Sequence, residues 1–115
     1  MGTARDVIIY LEDIYDSAIL IIEYVEGLTE QDFLYDLEKQ DAVTRRIQII
    51  GEAAKHISPS YKKKWSDIPW RDIAGMRDIL VHEYFGITIS MIWKVATEDI
   101  PILKEQIEDI LDSME

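Results

Sequence analysis

Val7-Ile8-Ile9-Tyr10-Leu11-Glu12-Asp13-Ile14-Tyr15-Asp16-Ser17-Ala18-Ile19-Leu20-Ile21-Ile22-Glu23-Tyr24-Val25 is the stretch whose reading decides the fold. Val7, Ile8, Leu11, Ile14, Tyr15, Ala18, Ile22 and Val25 recur at intervals of three and four, the spacing of one face of an α-helix. A Thr3-x-x-Asp6 start signal precedes the run and Gly27 closes it, so the pattern predicts one long helix from Thr3 to about Glu26. Tyr10, Ile21 and Tyr24 widen the apolar face beyond the stripe that a monomeric bundle needs.

The same period runs through the rest of the chain. Thr29 can cap a short second helix. The polar stretch Glu38-Lys39-Gln40-Asp41 leads into a helix carrying Val43, Ile47, Ile50, Ala54 and Ile57, in which Gly51, Ala53 and Ala54 favour close packing. Ser58-Pro59-Ser60 breaks it, and the segment to Ile68 reads as a basic and aromatic connector with Tyr61 and Trp65 as packing anchors. Pro69 suits an early helical position, predicting a helix from about Pro69 to Glu83 that Phe85-Gly86 closes. Thr88 opens another with Ile89, Ile92, Trp93 and Ala96. Pro101, with Thr97 and Asp99 as caps, predicts a kink or restart before the final stripe Ile100, Leu103, Ile107, Ile110 and Leu111. No window alternates apolar and polar residues for long, so the expectation is an all-α bundle of about four to six antiparallel helices without a sheet.

Composition narrows the functional classes. A chain of 115 residues with 48% hydrophobic content fits a single domain across 1–115. The absence of Cys removes disulfides, a thiolate nucleophile and thiolate-bound zinc, and is compatible with a reducing compartment. The N-terminal residues do not resemble a secretory signal, and the apolar run Ala18 to Ile22 is too short to span a bilayer. The expected location is therefore cytoplasmic, with no membrane partner. A formal charge of −11 argues against generic nucleic-acid binding, so any RNA contact must be local. The cations gather in the central third, at Arg45, Arg46 and Lys55, Lys62 to Lys64, and Arg71 and Arg77, while acidic residues dominate the ends.

Chemistry concentrates in Met76-Arg77-Asp78-Ile79-Leu80-Val81-His82-Glu83-Tyr84-Phe85. On a helix Asp78 lies beneath His82 and Arg77 beneath Tyr84. An imidazole titrates near neutral pH, a carboxylate at i−4 can hold its tautomer, and Arg carries a permanent charge for phosphate oxygens. A lone His in an apolar helix is more often structural, but His82 has Asp78 and Arg77 beside it. Arg77 and His82 stand about 140° apart around the helix, so one rigid helix does not build a tight site and a second copy could supply the remainder. The set suits attack of an RNA 2′-hydroxyl on the adjacent phosphate, which needs no metal or cofactor. His56, next to Lys55 on the preceding helix, reads as a surface or packing residue.

Arg77-Asp78-x-x-x-His82-x-Tyr84 resembles the R-x-x-x-x-H-x-Y signature of the HEPN-domain toxins of the HepT type. Ile49-Ile50-Gly51-Glu52-Ala53-Ala54-Lys55, Ile68-Pro69-Trp70, Gly75-Met76-Arg77 and Asp99-Ile100-Pro101 follow in that family's order and spacing. The short pattern alone is weak; the blocks together, from about Arg5 to Leu111, are specific. The resemblance implies a HEPN helical fold, a homodimer with a composite ribonuclease site, Arg77 and His82 as the catalytic pair, and Asp78 at a supporting position where Asn is common. It further implies a type II toxin–antitoxin pair, with an MntA-like minimal nucleotidyltransferase antitoxin that transfers AMP to Tyr84. The alternative is a noncatalytic helical module that binds a nucleotide or the nucleotidyltransferase, which the negative charge favours.

Overall fold

The structure is a computed structural model that describes residues 4–82 and 88–114, and the side chains of Ala4, Val81 and His82 lie outside that description. Helix α1 spans Ala4–Val25. Its positions Val7, Leu11, Ile14, Ala18, Ile21 and Val25 are buried, at the spacing the sequence sets out. Tyr10, Tyr15, Ile22 and Tyr24 flank that stripe and are partly buried against the core. Gly27 ends the helix with φ 78°, a left-handed conformation that glycine adopts without steric cost.

Helix α2, Glu30–Leu34, begins with a reciprocal cap. The Thr29 hydroxyl accepts from the Asp32 amide at 3.1 Å, and the Asp32 carboxylate accepts from the Thr29 amide at 2.9 Å. Asp36 then caps α3, Leu37–Lys55, by accepting from the Lys39 amide at 3.0 Å. The helix thus starts a residue ahead of the polar run Glu38 to Asp41, because an Asx cap rather than the apolar pattern sets its first turn. Its buried positions are Val43, Ile47, Ile50, Gly51, Ala53 and Ala54.

The connector expected after Ser58 contains a helix of its own, α4, Pro59–Lys64, with proline in its first turn. Tyr61 and Trp65 stack at 5.1 Å between ring centroids and pack against the core as anchors. Helix α5, Trp70–His82, starts just after Pro69, whose carbonyl accepts from the Ile73 amide at 3.1 Å. Trp70 is buried, and its indole N–H donates to the Trp65 carbonyl at 3.0 Å, which fixes the entry of α5. The expected end of this helix, at Glu83 to Gly86, lies outside the described residues.

Helix α6, Ile89–Lys94, is capped by Thr88 and runs without a break through a π-helical turn, Val95–Asp99, into α7, Ile100–Ser113. Regular α-helix thus resumes at Ile100 with Pro101 in its first turn, after a wide turn rather than a break in the chain. The proline lacks the N–H that would bond to the carbonyl at i−4, and its ring crowds that carbonyl; a single wide turn absorbs both defects, with the Ile100 amide reaching the Val95 carbonyl. Thr97 does not cap, because its hydroxyl donates back to the Trp93 carbonyl at 2.8 Å. Asp99 makes no side-chain cap.

Together these elements form an all-α bundle, and no strand occurs among the described residues. Helix α1 packs along both α3 and α7, and α5 packs along α3. Phe33 of α2, fully buried, meets Trp93 of α6 at 5.3 Å and closes one end. No helix of the described residues is long and apolar enough to cross a membrane.

Candidate functional site

The site forms where α5 crosses α3, and Gly51 determines how closely they approach. The Cβ of Arg77 occupies the space that a side chain on Gly51 would need; a Cβ placed there would also lie 2.8 Å from the Arg77 Cγ and 3.2 Å from the Ile73 carbonyl oxygen. Close contact of the two backbones puts consecutive residues of α5 against residues one turn apart on α3.

Arg77 and Asp78 thereby face Glu52 and Lys55 with complementary signs. The Arg77 guanidinium donates to Glu52 with Nη2 to Oε2 at 2.9 Å and to Asp78 with Nη1 to Oδ1 at 3.2 Å. Asp78 Oδ1 also accepts from the Lys55 ammonium. The four groups make a chain of alternating charge, Glu52, Arg77, Asp78, Lys55, in which Asp78 has cations on both sides. The Lys55 hydrogen bond leads in holding the Asp78 carboxyl below its ordinary value, Arg77 adds to it, and partial desolvation opposes them. The Lys55 ammonium offsets the negative charge that the Asp78 carboxylate would otherwise bring to the site.

Arg77 is the most enclosed of the four, its side chain 22% exposed, and it opens onto a cleft of about 360 Å³ between α1, α3 and α5. The α3 wall presents Arg45, Gln48, Glu52 and His56, which recur at intervals of three and four and so form one polar stripe. Tyr10 and Asp13 of α1 stand opposite. The His56 ring stacks on Tyr10 at 5.1 Å and 13°, and its Nε2 lies 3.8 Å from Glu52 Oε1.

Of the residues singled out from the sequence, Arg77 and Asp78 are in this cluster and bonded to each other. His82 is the last described residue of α5, five positions beyond Arg77. Tyr84 lies outside the described residues. Glu52, Lys55 and Tyr10 are not among the site residues expected from the sequence, where Tyr10 stands in the apolar face of the first helix and Lys55 in a cation cluster. The signal was available in part: Glu52 and Lys55, a turn apart, carry the signs opposite to Arg77 and Asp78.

The fold and this cluster define a helical protein with a basic side chain clamped beside an open cleft lined by both polar and apolar side chains. Residues 14–110 match the family described as "Ribonuclease HepT-like", and the chain belongs to that family. A Thermococcus cleftensis protein named "Probable ribonuclease HepT" is 46% identical over 101 residues, covering 88% of this chain and 92% of that one. An RNase-named protein of Caldanaerobacter subterraneus subsp. tengcongensis is 42% identical over 102 residues, covering 89% and 91%. A Methanocaldococcus jannaschii protein, whose name joins gamma-glutamylcyclotransferase to an RNase, is 46% identical over 111 residues. That match covers 96% of this chain and 50% of the relative, so the chain spans half the length of this two-part protein. No solved structure matches the chain.

Proposed function

We propose that the chain is a metal-independent endoribonuclease that cleaves RNA at a composite site between two copies, with Arg77 and His82 as its catalytic pair. The observation that carries this reading is the setting of Arg77: a guanidinium held by Glu52 and Asp78 at the mouth of an open cleft, on the helix that also carries His82. Membership of the HepT-like ribonuclease family and the RNase names of the relatives support it.

In this reading a 2′-hydroxyl of RNA loses its proton to a His82 imidazole and attacks the adjacent phosphorus. Arg77 bonds the phosphate oxygens and stabilises the charge that develops on the phosphorane. The P–O5′ bond breaks, and an imidazolium, that of a second copy's His82, returns a proton to the leaving 5′-oxygen. The products are a 2′,3′-cyclic phosphate and a 5′-hydroxyl. Asp78, neutralised by Lys55, steadies Arg77 without adding a net negative charge. The larger reading is a toxin of a type II pair whose MntA-like nucleotidyltransferase partner silences it by adenylylating Tyr84. An AMP there would bring a competing phosphate to Arg77.

Arg77→Ala and His82→Ala are expected to abolish formation of 2′,3′-cyclic ends while leaving a folded dimer, because loss of acid–base assistance alone costs about 10²- to 10⁴-fold. Cleavage by both variants at the wild-type rate would reject the assignment. The net charge of −11 favours a second reading, a noncatalytic module binding a nucleotide or the nucleotidyltransferase. It predicts retention of an ATP analogue with no RNA turnover by the wild type.

A further inference from the structure

We propose that the stacked pair Tyr10–His56 is a nucleobase platform, holding one unpaired base of the RNA beside the phosphate that Arg77 binds. The inference rests on the ribonuclease reading and assigns the neighbouring part of the same cleft.

Tyr10 and His56 stack nearly parallel, at 13°, and the His56 side chain is still 55% exposed. Tyr10 packs against the core and backs one face of the imidazole, so the ring is held in place while the rest of it stays open to the cleft. A supported, exposed planar ring is what an unstacked base needs, and stacking on aromatic side chains is the common way proteins hold single-stranded RNA.

The position relative to Arg77 matters as much as the ring. One carboxylate, that of Glu52, touches both: Oε2 lies 2.9 Å from the Arg77 guanidinium and Oε1 3.8 Å from His56 Nε2. The phosphate subsite and the imidazole are therefore separated by a single small anion and its contacts, a reach that one nucleotide covers. Glu52 occupies the anion position between them in the free protein. Farther along the same stripe, Arg45 offers a second cation for the neighbouring phosphate and Gln48 an amide for a base edge. Asp13, on the Tyr10 side, supplies a hydrogen-bond acceptor for an exocyclic amino group, away from the Arg45 stripe.

The test uses a short unstructured RNA and a ribose–phosphate chain of equal length without bases. Binding is measured in the His82→Ala background and turnover in the active protein. His56→Ala is expected to weaken RNA binding by about tenfold, the size of one base stack, and to raise KM with kcat unchanged. His56→Phe restores binding, since it keeps the planar ring and drops the imidazole nitrogens. The base-free chain binds His56→Ala and the parent alike. Equal RNA affinity and KM in His56→Ala and the parent would overturn the platform while leaving the ribonuclease reading intact. So would a loss of the base-free chain equal to that of RNA, or a His56→Phe variant as weak as His56→Ala. A parent protein that neither binds nor cuts RNA would reject the ribonuclease reading itself, and the platform with it.

Discussion

Gly51 and Arg77 meet where α3 and α5 pack against each other, and the first Arg77 side-chain carbons fill the volume that any residue larger than glycine at 51 would need. The contact is with the base of the Arg77 side chain and with the Ile73 carbonyl, neither of which can swing away. Helix packing and the placement of the candidate catalytic cation are therefore one constraint.

Gly51→Ala is accordingly expected to push the helices apart, costing roughly 1–3 kcal/mol as other overpacked sites do, and to lower RNA cleavage by displacing Arg77. Gly75 is the internal control. It lies in the middle of α5, and a Cβ added there would meet no atom within 4 Å. Gly75→Ala is therefore expected to be neutral or to stabilise by about 0.5–1 kcal/mol through helix propensity. Chemical denaturation of the two variants checks the contrast, and equal stabilities would contradict the packing argument.

The helical period made most of this fold legible in the sequence. Helix α1 occupies the predicted stretch from Ala4, the first described residue, to within a residue of its predicted end, and Gly27 stops it as expected; the start signal at Thr3 lies outside the described residues. The details that the spacing leaves out share a cause. Asp36 starts α3, Ser58-Pro59 starts α4, and the wide turn at Val95–Asp99 absorbs Pro101, all through local backbone geometry and hydrogen bonding that hydrophobic spacing does not report. The site divides in the same way. Arg77 and Asp78 stood out as polar groups on an apolar helix, whereas Lys55 and Glu52 matter only because Gly51 brings α3 against α5, a relation between segments far apart in sequence.

Asp78 gives a pH-dependent prediction. Its carboxyl is held below the ordinary 3.8, first by Lys55, so the unfolded chain binds its proton more readily than the folded one. The stabilisation is fully present above about pH 4 and is lost as pH falls through the lowered folded value. Lys55→Met is expected to move the Asp78 titration upward, toward the ordinary carboxylate value, as followed by NMR of the side-chain carboxyl. Asp78→Asn is expected to flatten the acid limb of the stability curve. An unmoved Asp78 titration in Lys55→Met would show that the ion pair is not formed in solution.

Glu52 orders Arg77 and, in the ribonuclease reading proposed above, competes with the RNA phosphate for it. Removing its charge and keeping its shape separates the two effects. Glu52→Gln is expected to tighten RNA binding several-fold, because an anion at the phosphate subsite is gone, and to reduce kcat, because a neutral amide holds the guanidinium less firmly. Binding of RNA in the His82→Ala background, with single-turnover rates in the active protein, measures both. Weaker binding in Glu52→Gln would mean that Glu52 and the phosphate do not share that position.

Tyr15, Glu108 and Lys104 join α1 to α7, apart from the Arg77 cluster. The Tyr15 hydroxyl donates to Glu108 Oε2 at 3.1 Å, and Lys104 donates to Glu108 Oε1 at 3.2 Å. The Lys104 bond, followed by the Tyr15 bond, lowers the Glu108 carboxyl, while the Glu108 bond raises the Tyr15 phenol. Linkage then acts at both ends of the pH scale. The Glu108 contribution is present above about 4.5 and is lost as pH falls through its depressed folded value; the Tyr15 contribution is present below about 10 and is lost as pH rises through its raised one. Tyr15→Phe removes the phenol donor and its titration together. It is expected to lower the thermal midpoint modestly across the neutral range, since the groups are solvent-accessible and screened, and to remove the wild type's decline above pH 10 that this phenol causes. Parallel alkaline limbs in Tyr15→Phe and the wild type would assign that decline to other groups and leave this cluster a packing contact between α1 and α7.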